Sequence, residues 1–83
     1  MATSGRYTVQ AASFRDQTAA DDFAKRIMNL GYPARWGESR SSDGNVWYYV
    51  RISRFENKQD AKKYAEDLKS KGVIDDFYIA NYD

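Results

Sequence analysis

Tyr7-Thr8-Val9-Gln10-Ala11-Ala12-Ser13-Phe14 returns 41 residues later as Tyr48-Tyr49-Val50-Arg51-Ile52-Ser53-Arg54-Phe55. The register persists beyond these octets. Ala20 falls on Ala61, Ala24 on Ala65 and Gly31 on Gly72, with Phe23/Tyr64 and Ile27/Leu68 as conservative matches. A period of this length marks a supersecondary unit that needs its neighbour to bury a core. The 83-residue chain is therefore one small domain built from two copies of one unit.

Each copy reads as a strand followed by a helix. Tyr7 to Ala12 alternates over a short span, closed by Ser13 and Phe14, which predicts a strand. Gln17 to Leu30 carries Ala20, Phe23, Ala24, Ile27 and Met28 at helical spacing, with Asp16 as N-cap and Gly31 as stop. Asn57 and Gly72 hold the same stations in the second copy, which decides for Asp16 over Thr18 as the first cap. Pro33 to Gly37 is expected to be a short strand, and Glu38 to Asn45 a hairpin loop turning at Asp43-Gly44. Val46 to Ser53 and Phe77 to Ala80 supply the last two strands. The order βαββαβ predicts an α+β fold of ferredoxin-like type: a four-stranded antiparallel sheet with both helices on one face.

The strand alternation divides this sheet into two chemically distinct faces. Val9, Ala11, Val50, Ile52, Phe77 and Ile79 are expected to meet Phe23, Ala24, Ile27, Tyr64, Ala65 and Leu68 under the helices. Each large side chain among them contributes about 1.5 to 3 kcal/mol on burial. Trp36 shares parity with Ala34 and is read as structural. The opposite parity carries Thr8, Gln10, Ala12, Arg35, Trp47, Tyr49, Arg51 and Tyr78. Three large aromatics that the core does not need suggest a binding surface there.

Composition removes most other chemistry. The chain has no cysteine and no histidine, so disulfides, thiolate nucleophiles, Cys/His metal sites and Ser/His pairs are excluded. No cofactor is expected. Thirteen basic and twelve acidic residues leave a net charge of +1, too little for a strong nonspecific hold on nucleic acid. No run is long and apolar enough to cross a bilayer, and residues 1–5 read as a disordered tag or linker remnant. Asp21-Asp22 with Lys25-Arg26, and Lys62-Lys63 with Glu66-Asp67, place opposite charges four apart on solvated helix faces. Asp75-Asp76 is a carboxylate pair in a loop, with nothing that marks a hydrolytic cleft around it.

The first octet and its echo Tyr49-Val50-Arg51-Ile52-Ser53-Arg54-Phe55 resemble the SPOR domain, a repeat module of bacterial division and wall-remodelling proteins. The resemblance spans Arg6 to about Tyr82, so residues 6–83 are expected to form the SPOR-like domain. The family pattern is aromatic-x-Val-Gln-x-Gly-Ser-Phe, then an alanine- and leucine-bearing helix ending in glycine, then a second copy. It implies an RNP-like fold and binding of septal peptidoglycan glycan strands stripped of stem peptides, in the periplasm or cell wall. It also implies roles for Gln10, Ser13 and Trp47, the family's Gln, Ser and third-strand Trp. Two positions depart from the pattern: Ala12 stands where glycine is usual, and Ser53-Arg54 where Gly-Pro or Gly-Phe is common. If the backbone there approaches the sugar closely or takes a positive φ, Ala12 weakens binding or shifts its geometry.

Within this reading the candidate glycan contacts are Gln10, Ser13, Trp47, Tyr49, Arg51, Thr8, Arg35 and Tyr78. An indole face covers the axial C–H side of a pyranose, and an amide offers both donor and acceptor to hydroxyl and N-acetyl groups. Arg51 and Arg35 suit a carboxylate such as the lactyl group of N-acetylmuramic acid, which loss of the stem peptide exposes. The competing structural roles are hairpin packing for Trp47, cross-strand aromatic pairing for Tyr49 and Tyr78, and a local turn for Ser13. The expected module is noncatalytic and monomeric, and nucleic acid is not its expected partner. Single-stranded RNA and a protein partner remain the alternatives for the same face, although the third strand lacks the glycine-aromatic RNP1 pattern.

Overall fold

The computed structural model of the chain describes residues 5–82. Six elements follow in order: β1 (Tyr7–Phe14), α1 (Gln17–Asn29), β2 (Ala34–Arg40), β3 (Val46–Phe55), α2 (Lys58–Ser70) and β4 (Tyr78–Asn81). The strands form one antiparallel sheet in the order β2-β3-β1-β4, and the helices share a single core against one face of it. Residues 1–4 of the expected remnant lie outside the described residues, as does Asp83. The Gly5 carbonyl accepts from Arg54 Nη2 at 2.9 Å.

The repeat is visible in three dimensions. Asp16 and Asn57 cap the helices, their side chains accepting from Ala19 N at 3.0 Å and Asp60 N at 2.9 Å, which satisfies N–H groups the helix start leaves unpaired. Gly31 and Gly72 follow the helix ends with φ of +98° and +77°, a conformation that favours glycine. Val9, Val50, Ile52, Ile27 and Leu68 are fully buried between sheet and helices. Ala20, Ala24, Ala61 and Ala65 let the helix backbones approach the sheet. Ile74, after α2, completes the core at a position the periodicity did not mark.

Both copies depart from ideal strands at the same station. Val9 pairs with Ile52 and Gln10 with Arg51, but Ala12 then pairs with Val50, so β1 holds one extra residue at Ala11. In β3 the extra residue falls between Ile52 and Phe55, where Ser53 has φ +58°. Each bulge shifts the alternation by one and returns a phenylalanine to the helix side. The result is two equivalent ring contacts, Phe14 with Phe23 at 5.6 Å and Phe55 with Tyr64 at 5.0 Å between centroids.

Two expectations about loops and charges are corrected. β2 runs on through Glu38, Ser39 and Arg40, paired with Tyr48, Trp47 and Val46, so the loop shrinks to residues 41–45. Polarity misled here, because a hairpin exposed on one side needs no apolar residues at its tip. The Asp43-Gly44 turn stands, with Gly44 at φ +89° and Ser41 N donating to Asn45 O at 2.8 Å. Asp21 does pair with Lys25 at 2.9 Å, whereas Asp67 pairs forward with Lys71 at 2.9 Å rather than back with Lys63.

Candidate functional site

The face away from the helices is organised as rows that cross the strands. Tyr78, Gln10, Arg51 and Arg35 are successive cross-strand partners from β4 to β2. Ser13, Tyr49 and Gly37 form the next row, and Trp47 with Ser39 the one beyond. None of these positions is acidic. Seven of the eight expected contacts lie in the rows: Gln10, Ser13, Trp47, Tyr49, Arg51, Arg35 and Tyr78.

Hydrogen bonds and stacking tie the middle of this surface together. Arg51 Nε donates to Gln10 Oε1 at 3.1 Å, and Gln10 Nε2 donates to Ser13 Oγ at 3.2 Å. Strict alternation would put Gln10 and Ser13 on opposite faces, and the Ala11 bulge is what unites them. The Arg51 guanidinium lies 3.9 Å above the Tyr49 ring. Tyr49 in turn reaches over Gly37, where an added Cβ would run into the phenol. Glycine at 37 thus lets the ring lie down on the sheet. Trp47 is 38 % exposed and Tyr78 61 % exposed, and the Arg15 guanidinium sits 4.9 Å from the Trp47 ring centre.

The eighth expected contact, Thr8, is corrected. It does pair with Ala80 on this face, but it is fully buried. Its hydroxyl donates to the carbonyls of Ser53 at 2.6 Å and Ile52 at 3.3 Å, so it fastens the β3 bulge instead of meeting a ligand. Tyr82 shares the parity of Tyr78 and Ala80, and its N–H donates to Arg6 O at 2.6 Å. The guanidinium groups of Arg54 and Arg35 flank the Tyr82 ring at 3.8 and 4.3 Å. This stack shields one end of a face that strand parity alone leaves bare.

The assignments of Ala12 and Trp36 also resolve. The bulge sets Ala12 opposite the core residue Val50, so it leaves the open face where alternation had placed it. Its φ is not positive; among the described residues Ser53 is the only non-glycine with that geometry. Trp36 is half-buried against the core, edge-on to Tyr48 at 5.9 Å, with Nε1 donating to Asp21 Oδ1 at 3.0 Å. That bond and the stronger one to Lys25 hold the Asp21 carboxyl below its ordinary range.

Arg15, Gly37 and Tyr82 join the site without having been singled out from the sequence, and so does Arg54, noted there only as a departure from the family pattern. The period of two through Tyr78, Ala80 and Tyr82 carried a signal for the last of them. Two clefts open on this side of the molecule: one of about 320 Å³ bordered by Arg35, Arg51, Arg54 and Tyr82, and a shallower one of about 200 Å³ beside Gln10, Ser13 and Tyr78. Among the described residues no helix is long and apolar enough to cross a membrane.

A search of curated proteins finds no match. Among solved structures, the chain is similar to the peptidoglycan binding domain of the B. subtilis cell wall lytic enzyme CwlC. Sequence identity is 26 % and the TM-score 0.69, over 100 % of this chain and 96 % of that one. The family model for the SPOR domain matches residues 3–80, a span that takes in both strand-helix copies, both bulges and every row of the open face. By that match, the chain belongs to the SPOR domain family.

Proposed function

We propose that this domain binds peptidoglycan glycan strands stripped of their stem peptides, without catalysis, and so directs a parent protein to the division septum or to sites of wall remodelling in the bacterial envelope. The observation that carries this reading is the Ser13-Gln10-Arg51 chain of hydrogen bonds on an open sheet face, bracketed by exposed Trp47 and Tyr78. Aromatic faces with fixed donors and acceptors between them suit a polymer rich in hydroxyl and N-acetyl groups. Family membership and the likeness to a domain named for peptidoglycan binding support the same ligand class. Asp76 is engaged in its own turn, Oδ1 accepting from Phe77 N at 2.8 Å, which fits a structural role better than a hydrolytic one.

Sedimentation with amidase-treated sacculi, untreated sacculi and a homopolymeric RNA tests the proposal. Retention by the treated sacculi, and by neither of the others, is the expected result. Retention by RNA in their place would transfer the face to nucleic acid, and retention by none of the three would point to a protein partner.

A further inference from the structure

Arg35 and Arg51 stand directly opposite each other on β2 and β3. Like charges in such a pair destabilise a sheet, because paired Cα atoms are only about 4.5 to 5.5 Å apart. No carboxylate among the described residues lies within ion-pair distance of either guanidinium. Both are instead held by rings, Arg51 over Tyr49 at 3.9 Å and Arg35 over Tyr82 at 4.3 Å. Arg51 spends its Nε on Gln10, which leaves the Nη edge of its guanidinium for another acceptor. A third guanidinium, Arg54, borders the same 320 Å³ cleft. Two cations positioned by aromatics, with no ion-pair partner among the described residues, suit an anion from outside.

We infer that Arg35 and Arg51, with Arg54 at the rim, form a carboxylate subsite, and that it receives the free lactyl carboxylate of muramic acid. This rests on the glycan reading above and adds the basis of its selectivity. In a peptide-bearing strand the lactyl group is an amide, neutral and bulky. Hydrolysis of that amide leaves an anion of the size and planarity that guanidinium forks bind. The other two rows, Ser13-Tyr49-Gly37 and Trp47-Ser39, hold no charged residue, so the cleft is where this face would meet the charge difference between the two kinds of strand.

The test compares a peptide-free glycan with the same glycan whose lactyl carboxylates are converted to methylamides, titrated calorimetrically into the wild type and Arg35→Gln. Arg35 makes no hydrogen bond on which the Gln10-Arg51 contact depends, and dispersed amide resonances verify that the variant is folded. The wild type is expected to bind the carboxylate form on the order of tenfold more tightly, and Arg35→Gln to lose most of that ratio. Equal affinity of the wild type for both forms overturns the subsite and leaves glycan binding intact. A full ratio in Arg35→Gln also overturns it. Failure of both glycans to bind overturns the glycan reading itself.

Discussion

Gln10 and Ser13 are hydrogen-bonded at 3.2 Å although they lie three apart in one strand. The extra residue at Ala11 makes this possible. It gives the domain a fixed donor-acceptor pair, with Arg51 on its other side holding the Gln10 carbonyl.

Removal of that amide should therefore affect binding far more than folding. Gln10→Ala is expected to weaken glycan binding on the order of tenfold, as loss of about 1.5 kcal/mol of hydrogen bonding implies. Thermal stability should stay within about 0.5 kcal/mol of wild type, because the side chain serves the surface. Titration calorimetry beside a melting curve checks both. A large loss of stability with unchanged affinity would make Gln10 a structural residue.

Trp47 offers the largest exposed apolar ring on the face. Trp47→Ala should lower affinity at least about tenfold if the indole is a sugar platform, while the lost contact with Arg15 costs stability less than about 1 kcal/mol. Unchanged retention on amidase-treated sacculi would assign Trp47 to the hairpin alone.

Gly37 tests the posture of Tyr49. Gly37→Ala places a methyl where the phenol lies. The ring is the far end of a flexible side chain, so it swings away and the sheet survives. Loss of the Arg51 stack should then cost about 1 kcal/mol of binding, roughly fivefold in Kd. Displaced Tyr49 ring resonances in a folded protein are the accompanying signature.

Ser53 holds a left-handed backbone, φ +58°, at the β3 bulge, where a side chain is disfavoured by about 1 to 2 kcal/mol. Ser53→Gly is expected to stabilise the domain by about 1 kcal/mol, a rise of roughly 4 to 8 °C in Tm. A fall in Tm would mean that the serine side chain makes up for its backbone.

Asp21 predicts an acid-sensitive contribution. Its carboxyl titrates below the ordinary range, first because of Lys25 and then Trp36, so the fold favours its charged form. That contribution is complete above the unfolded-state value and is lost as pH falls through the folded one, from about pH 5 downward. Asp21→Asn should flatten this part of the Tm-pH curve. The slope that remains includes Asp43, likewise lowered by Ser41 and Asn45. An identical slope in the variant would remove Asp21 from the account.

Helices, caps and core were legible because their periods and end signals recur in both copies, and the Gln10-Arg51 side of the sheet followed from simple alternation. The bulges were not, since alternation assumes an unbroken strand. Their trace was nevertheless present: Val9 to Phe14 and Val50 to Phe55 are both separated by five, an odd number that cannot keep two core residues on one face of a regular strand. Thr8 was read as exposed for another reason. It is fully buried, with its hydroxyl taken up by the Ser53 and Ile52 carbonyls at the β3 bulge, a tertiary contact that no local pattern encodes.

The hydrogen bond between Arg51 and Gln10 joins two residues that occupy the same place in the two copies, so a local twofold axis passes between them. Ser13 and Arg54 are equivalents by the same operation. The side chains at these stations break that symmetry: an amide and a hydroxyl on one half, two guanidiniums on the other. A wall polymer seated as proposed would meet chemically unlike ends of the tray.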